Sequence, residues 1–515
     1  MTGLVLKIDS HAGKHRIDRG DSSKSPATMH TIPSLGQQQQ RFQVLAAYLA
    51  GRHQFFKLFS HNDVKNLAST QTGSHYYGVI GEKPREIAVR ILKHRETGRD
   101  YVEDLLEREL AATRLSAPDR RLLHELVAGV VRWQAALDWL IERKTGGRQQ
   151  KPLLRILLRL GLYQLFWLDR VPQHAAVHET VELARHLGFG PQSGFINAVL
   201  RGYGREAGTT QRLLEELKTS QPPVGLSHPA WLIERWSARW GADSTRRLLD
   251  WNNTPPLSYA RVNTLKTTAA DLLSAWQKEG VEAEAFERDW TSKMPVFQLK
   301  NHPPVATLQS FQGGRFYVQD PSTLLAVTVL DPQPGETILD LCAAPGGKTT
   351  CIAQLMQNLG QIVAQDTHAD RLKLVCENCA RLGVNCVEIA LSSTPPHREQ
   401  TLNPQPSTLF DRVLVDAPCS NTGVMRRRID LRWRLRLAEI ARLRRDQLVL
   451  LRTAASQLKP GGTLVYSTCS LEPEENGEVV KLFQADHPAF RLEHERELTP
   501  FADGVDGAYV ARLRT

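Results

Sequence analysis

The sequence predicts an α/β architecture: a doubly wound, mostly parallel Rossmann-like sheet in the C-terminal part, preceded by an all-helical unit. Three observations carry this. From Pro84 to about Gly204 apolar residues recur at three- and four-residue steps, the period of helices that bury one face. From Phe316 onward short apolar runs alternate with amphipathic stretches, as in strand-helix units joined into a parallel sheet. A chain of 515 residues is also too long for one core; at roughly 100 to 200 residues per domain it holds two or three folded units.

In chain order, residues 1–82 contain scattered Ser, Gly and His and the tract Gln37 to Gln40, and are expected to form a disordered extension. Met29 is an alternative start, and Asp9, Asp18 and Asp21 argue against an organelle transit peptide. Residues 83–218 form the helical unit. Its apolar sets are Ile87, Val89, Ile91 and Leu92, then Leu105, Leu106 and Leu110, then Leu122, Leu123, Leu126, Val130 and Leu137. Ser116 before Ala-Pro-Asp-Arg is a helix start. Further helices are expected across Leu153 to Leu168, Ala175 to Leu187 and Phe195 to Arg201. Residues 219–314 read as a linker and a small α/β subdomain, entered by a strand in YARVNTLK. Residues 315–515 form the large α/β domain, with strands at Thr337 to Leu341, Gln361 to Asp366, Cys386 to Ala390, Arg412 to Asp416 and Gly462 to Ser467. Such sheets bind ligands beyond the carboxyl ends of their strands.

Composition narrows the function classes. Sixty-five Lys and Arg against 55 Asp and Glu give a formal charge of +10, a bias toward a polyanionic partner. Between Arg426 and Arg445 nine of twenty residues are Arg, opposed by Asp430 and Glu439. Either this is a solvated helix face or Arg426, Arg427 and Arg428 lead a run that holds phosphates; its place after a candidate catalytic loop favours phosphates. The seven cysteines, all between Cys342 and Cys469, read as reduced thiols with local roles rather than a disulfide framework. No run approaches the ~18 apolar residues of a membrane span and no secretion signal opens the chain, so the expectation is a cytoplasmic protein without a membrane partner.

The first strand of the large domain runs into Asp340-Leu-Cys-Ala-Ala-Pro-Gly-Gly-Lys-Thr349 and then a helix. Small residues let the backbone of Cys342, Ala343, Ala344, Pro345, Gly346, Gly347 and Lys348 approach a ligand, and the free amides of the helix start attract a carboxylate. That suits the methionine end of S-adenosyl-L-methionine. A phosphate-binding P-loop is the competitor, given Gly347-Lys348-Thr349 and a strand ending at Asp416. It fails at Cys342, where the first glycine is needed, and Pro345 stiffens the loop. Asp366, at the end of the next strand, is placed to accept hydrogen bonds from ribose hydroxyls.

Two more strand ends carry cysteines: Cys419 in Asp416-Ala-Pro-Cys-Ser-Asn-Thr-Gly423 and Cys469 in Tyr466-Ser-Thr-Cys-Ser470. A single cysteine is more often a small buried hydrophobe. Two among Ser, Thr and Pro at the mouth of one crevice suit methylation of a cytosine at carbon 5. That carbon is a poor nucleophile until a thiolate adds to carbon 6, and the reaction needs an activated cysteine and a group at the pyrimidine edge. A free thiol of pKa ~8.5 is only slightly ionised at neutral pH, so a nearby cation helps.

The motifs DLCAAPGGKTT, VLVDAPCSNTGV and LVYSTCSLEPEENGEVV, with VQDPST before them and DGAYVARLR at the end, resemble the Sun/RsmB family within the wider NOP/NSUN RNA 5-methylcytosine methyltransferases. The segments RLLHELVAGVVRWQAALDWLI, LRLGLYQLFWLDRVPQHAAVHETVELAR and FINAVLR resemble the NusB-like RNA-binding domain that precedes the catalytic domain there. The resemblance implies S-adenosyl-L-methionine as cofactor and 16S rRNA as partner; no stable protein partner is evident from the sequence. It further implies Cys469 as nucleophile, Cys419 assisting release, Asp416 at the cofactor or cytosine edge and Lys348 at the reacting centre. A tRNA or DNA cytosine methyltransferase, or an RNA-binding ribosome-assembly factor with an inactive domain, remain as alternatives. Two departures stand out: Ile389-Ala-Leu-Ser-Ser393 lacks the family's Gly-Asp, and Arg428-Ile429 replaces its His-Pro. Cys376 and Cys379 have metal-pair spacing but sit in a helical pattern, and His174 and His178 lack a metalloprotease context, so no metal site is expected.

Overall fold

A computed structural model describes residues 83–392 and 409–515. The extension assigned to residues 1–82 and Ser393 of the departure noted above lie outside them.

The helical unit comprises α1 (Pro84–Thr97), α2 (Val102–Ala112), α3 (Ala117–Arg132), α4 (Gln134–Thr145), α5 (Pro152–Trp167), α6 (Gln173–His186), α7 (Ser193–Arg205) and α8 (Ala207–Ser220). The Ser116 hydroxyl accepts the Asp119 N–H and so satisfies one of the free amides that open α3. Leu123, Leu126, Leu137, Leu157 and Leu160 are buried in one core. Where α3 passes α5 the helices touch at Gly129, whose Cβ, if present, would fall 1.8 Å from the Tyr163 ring. Any larger residue there would drive the two helices apart.

A long helix, α9 (Ala230–Asn253), kinks at Gly241, where φ is +79°. It leads to a small antiparallel sheet of β1 (Ser258–Val262), β2 (Glu282–Phe286), β3 (Val296–Asn301) and β4 (Phe316–Val318), in the order β2-β3-β1-β4, covered by α10 (Ala269–Glu279). Phe316 to Val318, expected at the start of the large domain, pair instead with β1. The reason is packing: Phe316 is buried among Trp276, Phe297 and Phe311 of the small subdomain.

The large domain follows α11 (Leu324–Leu330). Its strands are β5 (Thr337–Leu341), β6 (Gln361–Asp366), β7 (Val387–Leu391), β8 (Phe410–Asp416), β9 (Leu458–Thr468), β10 (Arg491–Leu498) and β11 (Ala508–Arg514), with α12 (Gly347–Leu355), α13 (Ala369–Leu382), α14 (Leu437–Ala455) and α15 (Gly477–Asp486) between them. Sheet order is β10-β11-β9-β8-β5-β6-β7. Strands β5 to β9 pair parallel, while β11 runs antiparallel to β9 and β10. Alternation along each strand feeds two cores. Ile338, Leu414 and Val465 pack on one face, and Leu339, Val413 and Leu464 on the other. Because β5, β8 and β9 are parallel neighbours, their carboxyl ends open on one edge. Register fixes this, with Leu341 opposite Val415 and Asp416 opposite Ser467.

The segment after β8 does not run free along the surface. Ile429 enters the core of the helical unit, and Met425, Leu431 and Leu435 pack with Trp236 and Leu248 of α9. Buried Asp430 accepts from Arg95 Nε at 2.7 Å, Arg434 Nε at 2.8 Å and the Val102 N–H at 3.1 Å. Buried Arg432 donates to the carbonyl of Asn252 at 2.9 Å and to Asn253 Oδ1 at 2.7 Å. Trp433 Nε1 donates to the Val131 carbonyl at 2.8 Å. The arginine-rich stretch thus fastens the helical unit to the large α/β domain.

Candidate active site

At the open edge of the sheet lies a cleft of about 730 Å³, lined by Cys342 to Pro345, Lys348, Asp416, Cys419 and Cys469 among others. That volume lies within the usual range of small-molecule sites. Cys342 turns the chain at φ +64° and Gly346 at φ +97°, so the loop after β5 folds back before α12 begins at Gly347. Glycine is needed at 346 twice over. The left-handed conformation suits it, and a Cβ there would press to 3.2 Å against Val375 Cα. Ala343 and Ala344 are buried and Pro345 is exposed. Burial pushes the Cys342 thiol well up, which leaves it neutral.

Asp366 ends β6 behind this loop. Its carboxylate accepts the His368 N–H at 3.1 Å and the Ala344 N–H at 3.4 Å, so it braces the loop, and it does not stand among the cleft-lining residues. Asp340, the last residue but one of β5, does line the cleft. One of its oxygens accepts the Thr349 hydroxyl at 2.6 Å, and the other is buried with no hydrogen-bond partner among the described residues. Burial raises its pKa to about 7, against the hydrogen bond from Thr349 that lowers it. Sequence reasoning missed Asp340 as a site residue. The signal was available, because the strand-end argument used for Asp366 applies to it equally.

Lys348 of α12 donates to Asp416 Oδ2 at 2.7 Å, and the Ser467 hydroxyl donates to Asp416 Oδ1 at 2.9 Å. Burial alone would depress the Lys348 ammonium, but Asp416, aided by Cys469, holds it above its ordinary value. The cation therefore persists at neutral pH beside the thiols.

Cys419 and Cys469 face one another with sulfurs 3.3 Å apart. Two backbone bonds bring their loops together: Ala417 N–H to the Ser467 carbonyl and Gly423 N–H to the Cys469 carbonyl, each 2.9 Å. At Gly423 the chains approach so closely that a Cβ would lie 2.7 Å from the Cys469 oxygen and 2.8 Å from Gly507 Cα. Cys419 is buried and Cys469 half-buried. Hydrogen bonding to Cys469 first, and burial second, push the Cys419 thiol well up, which keeps Cys419 a neutral thiol. Asn421, in the left-handed conformation at φ +58°, accepts from Cys469 Sγ at 3.1 Å and donates to the Cys419 carbonyl at 2.7 Å. It touches both cysteines, and sequence reasoning missed it too. An asparagine two residues after Pro-Cys, where a tight turn favours the left-handed region, was the available sign.

The three arginines expected to hold phosphates divide. Arg426 is almost fully buried: its Nε donates to Asp506 at 2.6 Å and its guanidinium lies 3.9 Å from the centre of the Trp251 ring. It is a core cation, which corrects its assignment as a phosphate contact, because a side chain spent on a buried carboxylate and an indole has no face left for solvent. Arg427 is half-buried and bonds Asp506 at 2.5 Å and Asp320 at 2.9 Å. Burial and the neighbouring Asp320 lift Asp506 to about 6 despite both arginines. Arg428 alone of the three is exposed, at the rim of the cleft. Cys376 and Cys379 lie on α13, one exposed and one buried. His174 and His178 lie on α6 beside a second cleft, on the helical unit. Among the described residues no group of three or more His, Cys, Asp or Glu is arranged to hold a metal ion, and no helix is long and apolar enough to cross a membrane.

Residues 327–514 match the family described as 16S rRNA methyltransferase RsmB/F, residues 82–205 the NusB family, and residues 228–289 the ferredoxin-like domain of RsmF/B-like methyltransferases. A probable ribosomal RNA small subunit methyltransferase B of Bacillus subtilis is 36% identical over 448 residues, which span 84% of this chain and 98% of the relative. Its counterpart in Synechocystis is 39% identical over 414 residues, 79% of this chain and 90% of the relative. The crystal structure of PH0851 superposes with a TM-score of 0.67 at 27% identity, over 85% of this chain and all of that one.

Proposed function

Since the chain belongs to the RsmB/F family of ribosomal RNA small subunit methyltransferases, we propose that it transfers a methyl group from S-adenosylmethionine to carbon 5 of a cytosine in 16S rRNA, through a covalent adduct with Cys469. The observation that carries this is the facing pair of thiols, 3.3 Å apart, at the ends of two strands beside the Lys348–Asp416 pair. A methyltransferase acting on a heteroatom needs no such pair.

The residues present fit the cofactor. The unpartnered oxygen of Asp340 offers an acceptor inside the cleft, and the start of α12 offers amides to a carboxylate. Asp366 serves the cofactor loop from behind, by bracing the Ala344 N–H. Bound there, S-adenosylmethionine supplies an electrophilic methyl group. Cys469, as thiolate, adds to carbon 6 of the base while the Lys348–Asp416 pair steadies the charge that develops on the pyrimidine edge. Carbon 5, now an enamine carbon, takes the methyl group, and S-adenosylhomocysteine leaves as the neutral thioether. A base removes the proton from carbon 5 and the Cys469–carbon 6 bond breaks, restoring the thiolate and releasing 5-methylcytosine. Cys419, its sulfur 3.3 Å from that of Cys469, is the group beside it for that last step, where as a thiolate it would take the carbon 5 proton. The helical unit, with the fold its NusB match implies, adds RNA surface.

Bisulfite sequencing of small-subunit rRNA from cells with and without the protein tests the reading: one cytosine should lose its protection when the gene is absent. Cys469→Ala should abolish transfer while leaving S-adenosylmethionine binding near the wild-type level, because the thiolate touches only the base. Full turnover by that variant sinks the nucleophile assignment.

A further inference from the structure

Between the two cysteine loops lies a carboxylate that the chemistry above does not use. Glu475, six residues after Cys469, is fully buried. Its Oε1 accepts the Ser420 N–H at 2.8 Å and Gln447 Nε2 at 3.1 Å. Its Oε2 accepts the Ser470 hydroxyl at 2.5 Å and the Ser420 hydroxyl as well. Ser420 and Ser470 are the residues immediately after Cys419 and Cys469, and their hydroxyl oxygens are 3.1 Å apart. Gln447, reaching from α14, also donates to the carbonyl of Pro418, the residue before Cys419, at 3.0 Å. The Glu475 carbonyl is held in turn by the Tyr466 hydroxyl at 2.6 Å.

An ionised carboxylate only accepts, and it has about four lone-pair sites. Four donors fill them here, drawn from both loops and from the helix behind. Bonds to an ionised acceptor are roughly twice as strong as neutral ones, and each loop supplies at least one. Burial raises the Glu475 pKa, while the bonds from Ser420 and Ser470 work the other way by favouring the charged form.

We propose that Glu475 is a positioning residue: by clamping Ser420 and Ser470 it sets the separation of the Cys419 and Cys469 sulfurs, and so the geometry in which attack and release are passed from one to the other. Its charge also stands behind Cys419 and helps keep that thiol protonated while Cys469 attacks. The inference rests on the two-cysteine reading and adds to it a residue that touches neither RNA nor cofactor.

The test uses the full-length protein with its RNA and S-adenosylmethionine. Glu475→Gln keeps the shape but turns one acceptor end into a donor facing donors. Ser420→Ala combined with Ser470→Ala removes the clamped hydroxyls and leaves the carboxylate. A misplacement of about 1 Å costs on the order of 10²-fold in rate, so kcat should fall about 30- to 100-fold in the first variant and by a smaller factor in the second. The KM for RNA and the affinity for S-adenosylmethionine should stay within about twofold, since neither ligand meets Glu475. In a Cys419→Ala background, Glu475→Gln should also slow the appearance of the covalent protein–RNA band. Wild-type kcat in both variants, or a loss that appears equally in KM and cofactor affinity, overturns the proposal. If Glu475→Gln fails to fold, the double serine variant decides. An active Cys469→Ala would overturn the function itself; an inactive Cys469→Ala beside a fully active Glu475→Gln overturns only the clamp.

Discussion

Asp430→Ala should destabilise the protein without touching the cleft. The Asp430 side chain is wholly buried and compensates Arg95 and Arg434, whose side chains are 9% and 22% exposed, while accepting the Val102 N–H. Removing one member of a buried pair costs about 3 to 5 kcal/mol, because the partner charge is left uncompensated. The low end applies here. Arg434 retains the carbonyls of Arg99 and Asp100, at 2.9 and 2.8 Å, and Arg95 retains Gln134 at 2.8 Å. Half-buried Glu103, whose pKa is raised by burial and further by Asp430, also gains relief. A loss of about 3 kcal/mol would lower Tm by roughly 6 to 12 °C in a unit of 150 to 250 residues. Calorimetry, with limited proteolysis to report opening near residues 425–435, reads this directly. A Tm within about 2 °C of wild type and an unchanged cleavage pattern would refute the claim that this loop fastens the two units.

Cys419→Ala incubated with RNA and S-adenosylmethionine should accumulate a slowly migrating, nuclease-sensitive band on a denaturing gel; normal turnover without a band would count against its role in release. Arg428→Ala should weaken matched and mismatched RNA alike and reduce the slope of log affinity against log salt by about 0.7, one phosphate contact on a single strand. Arg426→Ala should instead lower Tm, and a pure salt-slope effect in that variant would return Arg426 to the RNA surface. Asp340, whose folded pKa is raised to about 7 from the ordinary 3.8, binds its proton more tightly folded than unfolded. Its protonated form therefore favours folding below about pH 4, and that stability is lost as the pH climbs from there toward 7, by about 1.4 kcal/mol for each pH step of one. Asp340→Asn should flatten that decline in urea titrations at pH 4 and pH 7, and an identical pH dependence in both proteins would exclude it.

Thr337 to Leu341 and Gln361 to Asp366 were legible to the residue, because each is a short apolar run bounded by turn residues. The site loops were legible for the same reason, since strand ends in a parallel sheet must share an edge. What local pattern cannot carry is a partner supplied from far along the chain. Arg432 looks like a solvated cation until Asn252 and Asn253 close over it, and Arg426 looks like a phosphate ligand until Trp251 and Asp506 enclose it. Phe316 went to the wrong domain because an aromatic strand signals burial without naming the core. Glu475 stands in an acidic stretch whose local pattern says nothing of its place, because its role depends on two serines fifty-five and five residues away.

The fastening of the helical unit by residues 429–434 has a consequence for how a target is chosen. With Ile429 seated in one core and Asp416 at the end of the strand just upstream, little slack separates the two units. An RNA that touches both meets them as the two jaws of a fixed gauge. On the proposed function, selection would then work by measurement: of all the unpaired cytosines on a folded RNA, only one at the right span from the helical surface would reach the thiols. A mutation that loosened the gauge would widen the set of bases modified before it abolished modification.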